Sequence, residues 1–599
     1  MSQTQAITEH VTWFEDTCSV YVVTHGDGSL LLDCGTVLQS SNLAAAQLPP
    51  PELVLLTHFH RDQCGGGSYW QQQGAELTIP FAERRFLEET DLLKAAYDIY
   101  DNYTAYFPGR GPMHDMVAAR YAHDYSRIDW HDLTFEVVPL PGHTFGSVGY
   151  LFEVDGQRLL ACGDLMSGPG RLYEYFWAQW RYMDFQGHVH LLESLRRIAD
   201  LGIDLILPGH GRPFAPTSEA IERLQRPLEE LYELFFDRPY EYYRPKFREL
   251  TPHVFEVNTT ANTYIVRDDL GHALLIDCGY ADNAPIAANP HRFIDNLTPY
   301  LETELGIHTV DWFLPSHYHD DHLAGLPALQ IRYATRLAAS PELKDILENP
   351  QNYDMPCAMP HGVKVDRVIQ RDEPFHWRGI DFWMEQQPGQ TWYHHLIRFE
   401  VDNHRFLCIG DNVSGLCFQE RRDFIHSFIP KNRTPVSSYP DMPRQILDYQ
   451  PDIILTGHGG AVPFERDQVE RWQTWMGRWQ SLLTDIIDQP HPNYGMDPHW
   501  VEFYPYKVRI RPGDTIIFTV RITNHDADQR EGILRFRSVD GVLIEPEEAR
   551  VHVQANRRAH CKVKVRFPHR FATHALPVVV DVTWNGQHLG PIAEAVAYW

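Results

Sequence analysis

The segment THFHRDQCGG, residues 57–66, follows an apolar run and sets His58 and His60 one residue apart, with Asp62 two positions on. Much further along, SHYHDDHLAG, residues 316–325, writes the phrase again with His317, His319 and Asp321, and adds His322 where the first version has Gln63. An HxHxD turn directly after a strand brings two imidazoles and a carboxylate around one point. Histidine nitrogen with carboxylate oxygen suits zinc or iron. A single HxH says little by itself, so the company it keeps decides the reading.

That company is a repeat. ITEHVTWFEDTCSVYVV (7–23) matches LTPHVFEVNTTANTYIV (250–266), and GSLLLDCG (28–35) matches HALLIDCG (272–279). PGHT (141–144) matches PGQT (388–391), LLACGD (159–164) matches FLCIGD (406–411), and LILPGHG (205–211) matches IILTGHG (453–459). The offsets run from 243 to 248, except 259 at the metal turn, where about 15 extra residues lie between 280 and 310. Repeats of this kind are units of structure. The first 490 or so residues are a duplicated domain of about 245, joined near DRPYEYYRPKFREL (237–250). Within each copy VYVV, LLLD, LVLLTH, FEVVPL and LILPGH, or their counterparts, read as strands, and HLLESLRRIADLG and AIERLQRPLEELYELFF read as amphipathic helices. The polar phrases fall just after strands, where α/β sheets place their sites.

Beyond a helical bridge, VERWQTWMGRWQSLLTDII (469–487), the pattern changes. Five to seven alternating strands in about 95 residues fit an immunoglobulin-like β-sandwich. No site chemistry stands out there, and packing or docking is the expected role. Domain boundaries are therefore placed at 1–240, 241–495 and 496–599.

The chain has 599 residues, 43% hydrophobic and 12% aromatic, a globular composition. Its formal net charge is -28, and the surplus lies in the first 499 residues, because residues 500–599 sum to +3. Such a surface repels phosphate backbones and argues against a nucleic-acid partner. No run reaches the 18 or so apolar residues of a membrane span, and the first residues show no secretory pattern, so no membrane partner and a cytoplasmic location are expected. Nine scattered cysteines form neither a disulfide framework nor a CxxC pair. Cys34 and Cys278, each in a DCG triplet, read as buried small residues, and Cys64 lies beside the first metal turn.

The HxHxD turn, the GHT turn, the strand-ending GD and the strand-ending GH occur in that order in the first copy, and nearly so in the second. The set resembles the metallo-β-lactamase-fold hydrolase superfamily over roughly residues 7–235 and 250–465. The resemblance implies an α/β (α+β) chain of two tandem αββα sandwiches, each two mixed sheets with helices outside. It implies that His58, His60 and His143 hold one metal in the first copy, that Asp62 and His210 hold a second, and that Asp164 bridges. In the second copy it implies His317 and His319 for the first metal, Asp321, His322 and His458 for the second, and Asp411 between them. Zinc is the implied cofactor, one or two ions per copy, with iron or manganese as alternatives.

Each copy departs from that pattern once. Gln63 replaces the histidine of the HxHxDH turn in the first, and Gln390 replaces the histidine of PGHT in the second. Glutamine ligates through its amide oxygen, but it is neutral and weaker. The first copy should hold site one well and site two loosely, and the second the reverse, unless His394 or His395 of PGQTWYHH fills the gap. The alternative is that Gln63 is a hydrogen-bond partner beside a mononuclear site. His317, His319 and Asp411 form a two-histidine, one-carboxylate set that suits ferrous iron as well as zinc.

A divalent ion brings the pKa of a bound water to roughly 7. The expected reaction is hydrolysis of a small-molecule ester, lactone or thioester by a metal-bound hydroxide that Asp62 and Asp321 orient. An iron oxidoreductase or dioxygenase on the same fold, a phosphodiesterase, and a binding scaffold with degenerate sites are the competing readings. Most aromatics of the stretches 91–112 and 171–185 read as core, with part of the second stretch a candidate substrate wall, and Arg421, Arg422, Lys431 and Arg433 read as a solvated face, with an anion clamp as the alternative. The duplication is expected to pack as an internal pseudo-dimer, with further oligomerisation left open.

Overall fold

The computed structural model describes residues 4–91, 93, 110–180, 185–241, 245–257, 261–279, 294–359, 361–413, 423–487, 491–539, 541–570 and 575–598. The chain divides into two compact units, Met1–Arg244 with Ala281–Pro299, and Pro245–Tyr280 with Tyr300–Trp599.

In the first unit, strands Thr4–Ala6, Val11–Glu15, Ser19–His25, Gly28–Leu32, Pro51–Leu55, Glu76–Pro80 and Arg120–Ala122 form one sheet in chain order. The first four pair antiparallel through tight turns, and the last three join parallel after crossovers that contain helices. A second sheet orders Leu205–Pro208, Gln157–Gly163, Val148–Val154, Leu133–Pro139 and Arg127–Trp130.

Period-two alternation stacks the layers. In Ser19–His25, Val20 and Val22 pack outward with Leu43, Trp70 and Leu87, while Tyr21 and Val23 pack inward with Phe135, Tyr150 and Phe152 of the second sheet. The second sheet turns Leu151, Leu160 and Cys162 toward Leu191, Leu195 and Leu224 on helices Gln186–Ala199 and Ser218–Phe236. The result is helix, sheet, sheet, helix. Each fully buried side chain of this kind contributes about 1.5–3 kcal/mol.

The second unit repeats the plan. One sheet runs Phe247–Thr251, Val254–Val257, Thr263–Arg267, His272–Ile276, Thr309–Leu314, Arg336–Ala339 and Arg367–Val368, and the other runs from Phe375–Trp377 to Gly460–Pro463. Tyr264, Leu274, Phe382, Phe399 and Phe406 fill the space between the sheets, and Leu407, Ile409, Tyr439, Met442 and Trp472 fill the outer layer. Both copies also share a polar staple. The backbone N–H groups of His10 and His253 donate to Asp155 and Asp402, each at 2.9 Å, and each imidazole meets the other oxygen of the same carboxylate. The staple ties the first sheet's leading hairpin to a turn of the second sheet.

The C-terminal part is a β-sandwich of a four-stranded and a five-stranded sheet. Phe518, Val520 and Val563 of one sheet meet Leu534, Val580 and Ala595 of the other. Nine strands are present among the described residues, against the five to seven expected. The excess comes from short edge strands such as Lys507–Arg509 and Leu543–Glu545, three residues each, too short to show a period. No described helix is long and apolar enough to cross a membrane.

Candidate metal centres

The polar phrases sit at the C-terminal ends of strands. Strand Pro51–Leu55 runs into a turn that carries His58 and His60, and His60 caps the short helix Arg61–Cys64, whose first turn holds Asp62. His143 follows strand Leu133–Pro139, Asp164 ends Gln157–Gly163, and His210 follows Leu205–Pro208. The second unit places His317, His319, Asp321, His322, Gln390, Asp411 and His458 in the same way.

In the first unit the ligand atoms of His58, His60 and His143 converge within 4.8 Å of one another, and so do those of Asp62, Asp164 and His210. His60 Nδ1 lies 3.0 Å from His143 Nε2, which is 3.2 Å from Asp164 Oδ2. His210 Nε2 lies 3.0 Å from Asp62 Oδ2 and 3.6 Å from Asp164 Oδ2, so Asp164 stands between the two groups. In the second unit His317, His319 and Asp411 make one group, and Asp321, His322, Asp411 and His458 the other. His322 Nε2 is 3.1 Å from Asp411 Oδ1, and His458 Nε2 is 3.1 Å from Asp411 Oδ2.

A hydroxyl relay sets the first histidine of each copy. Thr57 Oγ1 donates to Asp33 Oδ2 at 2.8 Å, so its oxygen is left to accept from His58 Nδ1 at 3.1 Å. Ser316 Oγ donates to Asp277 Oδ2 at 2.7 Å and meets His317 Nδ1 at 2.9 Å. The lone pair of each imidazole is thereby left on Nε2. Both Nε2 atoms are buried without a hydrogen-bond partner, as are Oε1 of Gln63 and Oε1 of Gln390. An unmet buried polar atom costs about 1–3 kcal/mol. These donors aim into clusters of carboxylate and imidazole, so the residues fit a metal ion.

Electrostatics agrees. Burial holds His58, His143 and His317 well below the ordinary histidine value, and brings His60 and His319 down to about 4. Neutral imidazole is the form that ligates. Burial pushes Asp164 up to about 7. At Asp411 burial pushes the same way, but His322 and His458 outweigh it and hold the carboxyl well below its usual range. Burial disfavours a charge on His322 too, yet Asp411, Asp321 and Asp277 together raise it well above the ordinary value. The carboxylates of the second unit favour positive charge at their centre, and His322 and His458 supply it.

The two glutamines behave alike. Gln63 Nε2 donates to Asp164 Oδ1 at 3.1 Å, and Gln390 Nε2 donates to Asp411 Oδ2 at 3.1 Å. Each amide leans on the carboxylate between the two groups.

Several residues lie differently from expectation. His394 belongs to neither cluster: Asn412 Nδ2 donates to its Nδ1 at 3.1 Å, and its Nε2 faces Gly410. The acceptor role of Nδ1 puts the proton on Nε2, so in this arrangement His394 offers no lone pair to the gap left at Gln390. His395 Nδ1 turns to the carbonyl of Tyr393 instead. Arg433 is buried against Asp497 and Glu502 and is neither solvated nor a clamp, while Lys431 is exposed, as a solvated face requires. Arg421 and Arg422 lie outside the described residues, as does most of 91–112. In the 171–185 stretch, Trp177 lies with its ring 4.7 Å from that of His60, and Tyr173 stacks on His210 at 3.9 Å. Cys64 is fully buried and its Sγ faces the carbonyl of Phe59.

Asp33 and Asp277 escape a reading that attends to the cysteines of the DCG triplets. Both adopt left-handed backbone, φ 54° and 56°, and Asp277 also receives His322 Nδ1 at 2.9 Å. The available signal was an acidic residue repeated before a glycine at the same strand end.

Comparison with known proteins accords with this geometry. A family model described as the Metallo-beta-lactamase superfamily matches residues 13–210 and 258–458. A hydroxyacylglutathione hydrolase of Aeromonas salmonicida (strain A449) is 30% identical over 190 residues, 31% of this chain and 58% of that protein. An RNase J-like protein of Methanocaldococcus jannaschii is 26% identical over 145 residues, 24% of this chain and 32% of that protein. Among solved structures, BJP-1, a subclass B3 metallo-β-lactamase of Bradyrhizobium japonicum, is 18% identical with a TM-score of 0.30, covering 39% of this chain and 93% of that one. The chain thus spans a little over half the length of the first of these relatives.

Proposed function

The chain belongs to the metallo-β-lactamase superfamily, and from that premise we propose that it is a metal-dependent hydrolase of a small-molecule ester, lactone or thioester. The observation that carries the proposal is the pair of hydroxyl relays, which leave His58 Nε2 and His317 Nε2 buried, unprotonated and without a partner, the first grouped with His60 and His143 and the second with His319 and Asp411. His58, His60 and His143, with Asp62, Asp164 and His210 beside them, would hold zinc in the first copy. His317, His319, Asp321, His322, Asp411 and His458 would do so in the second. A divalent ion bound there supplies Lewis acidity and acidifies a water to roughly neutral pKa.

The chain's own residues do the rest. Asp62, 40% exposed at its side chain, stands at the edge of the first cluster, where a carboxylate can orient an attacking water. Asp321, 21% exposed, takes the same place in the second. Trp177 and Tyr173 cover the first cluster with aromatic faces and favour an apolar or ring-bearing acyl group. The relatives named hydroxyacylglutathione hydrolases make acyl-glutathione thioesters the first substrates to try. The net charge of -28 disfavours a nucleic-acid substrate.

The test is turnover on a thioester and lactone panel with metal content measured in parallel. His60→Ala and His319→Ala should each lower metal per chain, and at least one should lower turnover. If neither changes either quantity, the hydrolase reading is wrong. A second reading, ferrous oxidoreductase chemistry in the second copy, is favoured by the His317, His319 and Asp411 group. Zinc alone in both copies after purification without chelators would end it.

A further inference from the structure

The second cluster has a neighbour with no counterpart among the described residues of the first. Asn432 is 1% exposed, and its Nδ2 lies 3.4 Å from His319 Nε2 while its Oδ1 has no hydrogen-bond partner. His319 Nδ1 faces the other way, 3.5 Å from the Gln390 amide that donates to Asp411. A neutral imidazole has one lone pair, and the hydrogen bond at one nitrogen decides where the other puts its electrons. If Asn432 donates, the His319 proton sits on Nδ1 and points into the cluster. The oxygen and nitrogen of an amide are nearly interchangeable in shape. Turned over, Asn432 offers the oxygen that now lacks a partner to His319 Nε2–H, and the lone pair moves to Nδ1, toward Asp411.

What holds Asn432 is the chain beyond the second copy. The next residue, Arg433, has left-handed backbone, φ 65°, and is 3% exposed. Its Nε donates to Asp497 Oδ1 at 2.9 Å and its Nη2 to Oδ2 of the same carboxylate at 3.4 Å. Nη1 donates to Glu502 Oε2 at 3.3 Å, and Nη2 also reaches the carbonyl of His499 at 3.1 Å. Asp497 is itself 3.1 Å from His525 of the sandwich. On its other side the loop grips the turn that carries Gln390: Trp392 N–H donates to the Asn432 carbonyl at 2.9 Å, and Thr434 Oγ1 to the Gly389 carbonyl at 2.7 Å. In the first unit the ring against His60 belongs to Trp177, which cannot accept a proton from it.

We propose that Asn432 is a positioning residue that sets the tautomer of His319 for metal binding, and that Asp497 holds it there through Arg433, so that the C-terminal segment is a working part of the second metal centre. The inference rests on the metal-centre reading above.

The test is cobalt(II) titration of the full chain, followed by the visible spectrum and by competition with a chromophoric chelator. His58→Ala, His60→Ala and Asp164→Ala are built in so that both groups of the first copy are disabled and the second cluster alone reports. Against that background Asn432→Leu should weaken cobalt binding roughly 10–100-fold and alter the spectrum. Asn432→Asp, which can only accept, should keep the affinity and the spectrum. Asp497→Asn should weaken binding in the same direction as Asn432→Leu. Unchanged affinity in Asn432→Leu, or equal loss in Asn432→Asp and Asn432→Leu, overturns the positioning role. Loss in Asn432→Leu with none in Asp497→Asn overturns the part given to the C-terminal segment. His319→Ala combined with Asp411→Ala, the carboxylate shared by both groups, separates the premises: cobalt binding that survives the pair defeats the metal-centre reading itself, whereas binding lost there but kept in Asn432→Leu defeats only the role of Asn432.

Discussion

Asp277→Asn and Asp33→Asn form a paired perturbation whose sizes can be worked from the structure. Asp277 is 1% exposed and receives three hydrogen bonds: Ser316 N–H at 2.7 Å on Oδ1, and Ser316 Oγ–H at 2.7 Å with His322 Nδ1–H at 2.9 Å on Oδ2. Asparagine tolerates the left-handed backbone and keeps one oxygen for Ser316 N–H. Its NH2 then faces two donors, and both hydrogen bonds are lost. Bonds to a charged group are worth about 1.5–3 kcal/mol each, so the loss is about 3–6 kcal/mol. Asp33 receives only Thr57, at 2.8 Å on each oxygen, because Gln63 turns to Asp164 instead. Burial pushes Asp33 up to about 8, so Asp33→Asn loses one bond to a largely neutral carboxyl, about 0.5–1.5 kcal/mol. Hydrogen exchange read by mass spectrometry resolves the two units separately, where a single unfolding curve for the whole chain would merge them. Peptides from strands His272–Ile276 and Thr309–Leu314 should lose several times the protection in Asp277→Asn that Gly28–Leu32 and Pro51–Leu55 lose in Asp33→Asn. Equal losses would show that His322 is not anchored by Asp277, and the account of how the second copy differs from the first would fall with it.

Gln63→His should install in the first unit the imidazole that His322 supplies in the second. Metal titration in a chain whose second cluster is disabled by His319→Ala and Asp411→Ala should then find a second ion bound at least tenfold tighter, on the order of a recovered ligand contact; unchanged stoichiometry and affinity would count against reciprocal loss. Breaking the buried Arg433–Asp497 pair by Asp497→Asn should cost about 3–5 kcal/mol of local stability. Burial opposes the charge on Asp497, but Arg433 and His525 win and hold the carboxyl well below its usual range. A depressed folded pKa means the stabilisation is present above the unfolded value of about 3.9 and is lost as pH falls through the folded value. The wild-type chain should lose protection in this region on acidification below about pH 4, and Asp497→Asn should show a flatter acid limb; parallel limbs in the two proteins would refute the assignment.

Much of the fold was legible because it depends on short-range pattern. Strands such as Ser19–His25 announce themselves by alternation, and the amphipathic faces of Gln186–Ala199 and Ser218–Phe236 by their helical period. The repeat doubled each signal. Edge strands of three residues in the sandwich did not show, since they are too short for an alternation to repeat. At the sites, residue types at strand ends marked His58, His60, His143, Asp164 and their counterparts. Asp33 and Asp277 were passed over because a carboxylate at a strand end reads equally well as a turn residue. Arg433 was misplaced because a basic residue in a polar stretch reads as a solvated face or a substrate clamp unless its buried partners, 64 and 69 residues away, are in view.

The sequence by itself determined the family, the duplication and the residue types at each strand end, because those rest on local spacing and repeated order. Only the tertiary structure decided which nitrogen of His58 and of His317 is left open, that both glutamines bond the central carboxylate, and that the C-terminal segment reaches back to the loop carrying Asn432. Those are matters of side-chain direction and of partners far apart along the chain, and hydrogen-bond geometry within a packed interior settles them, not the order of residues.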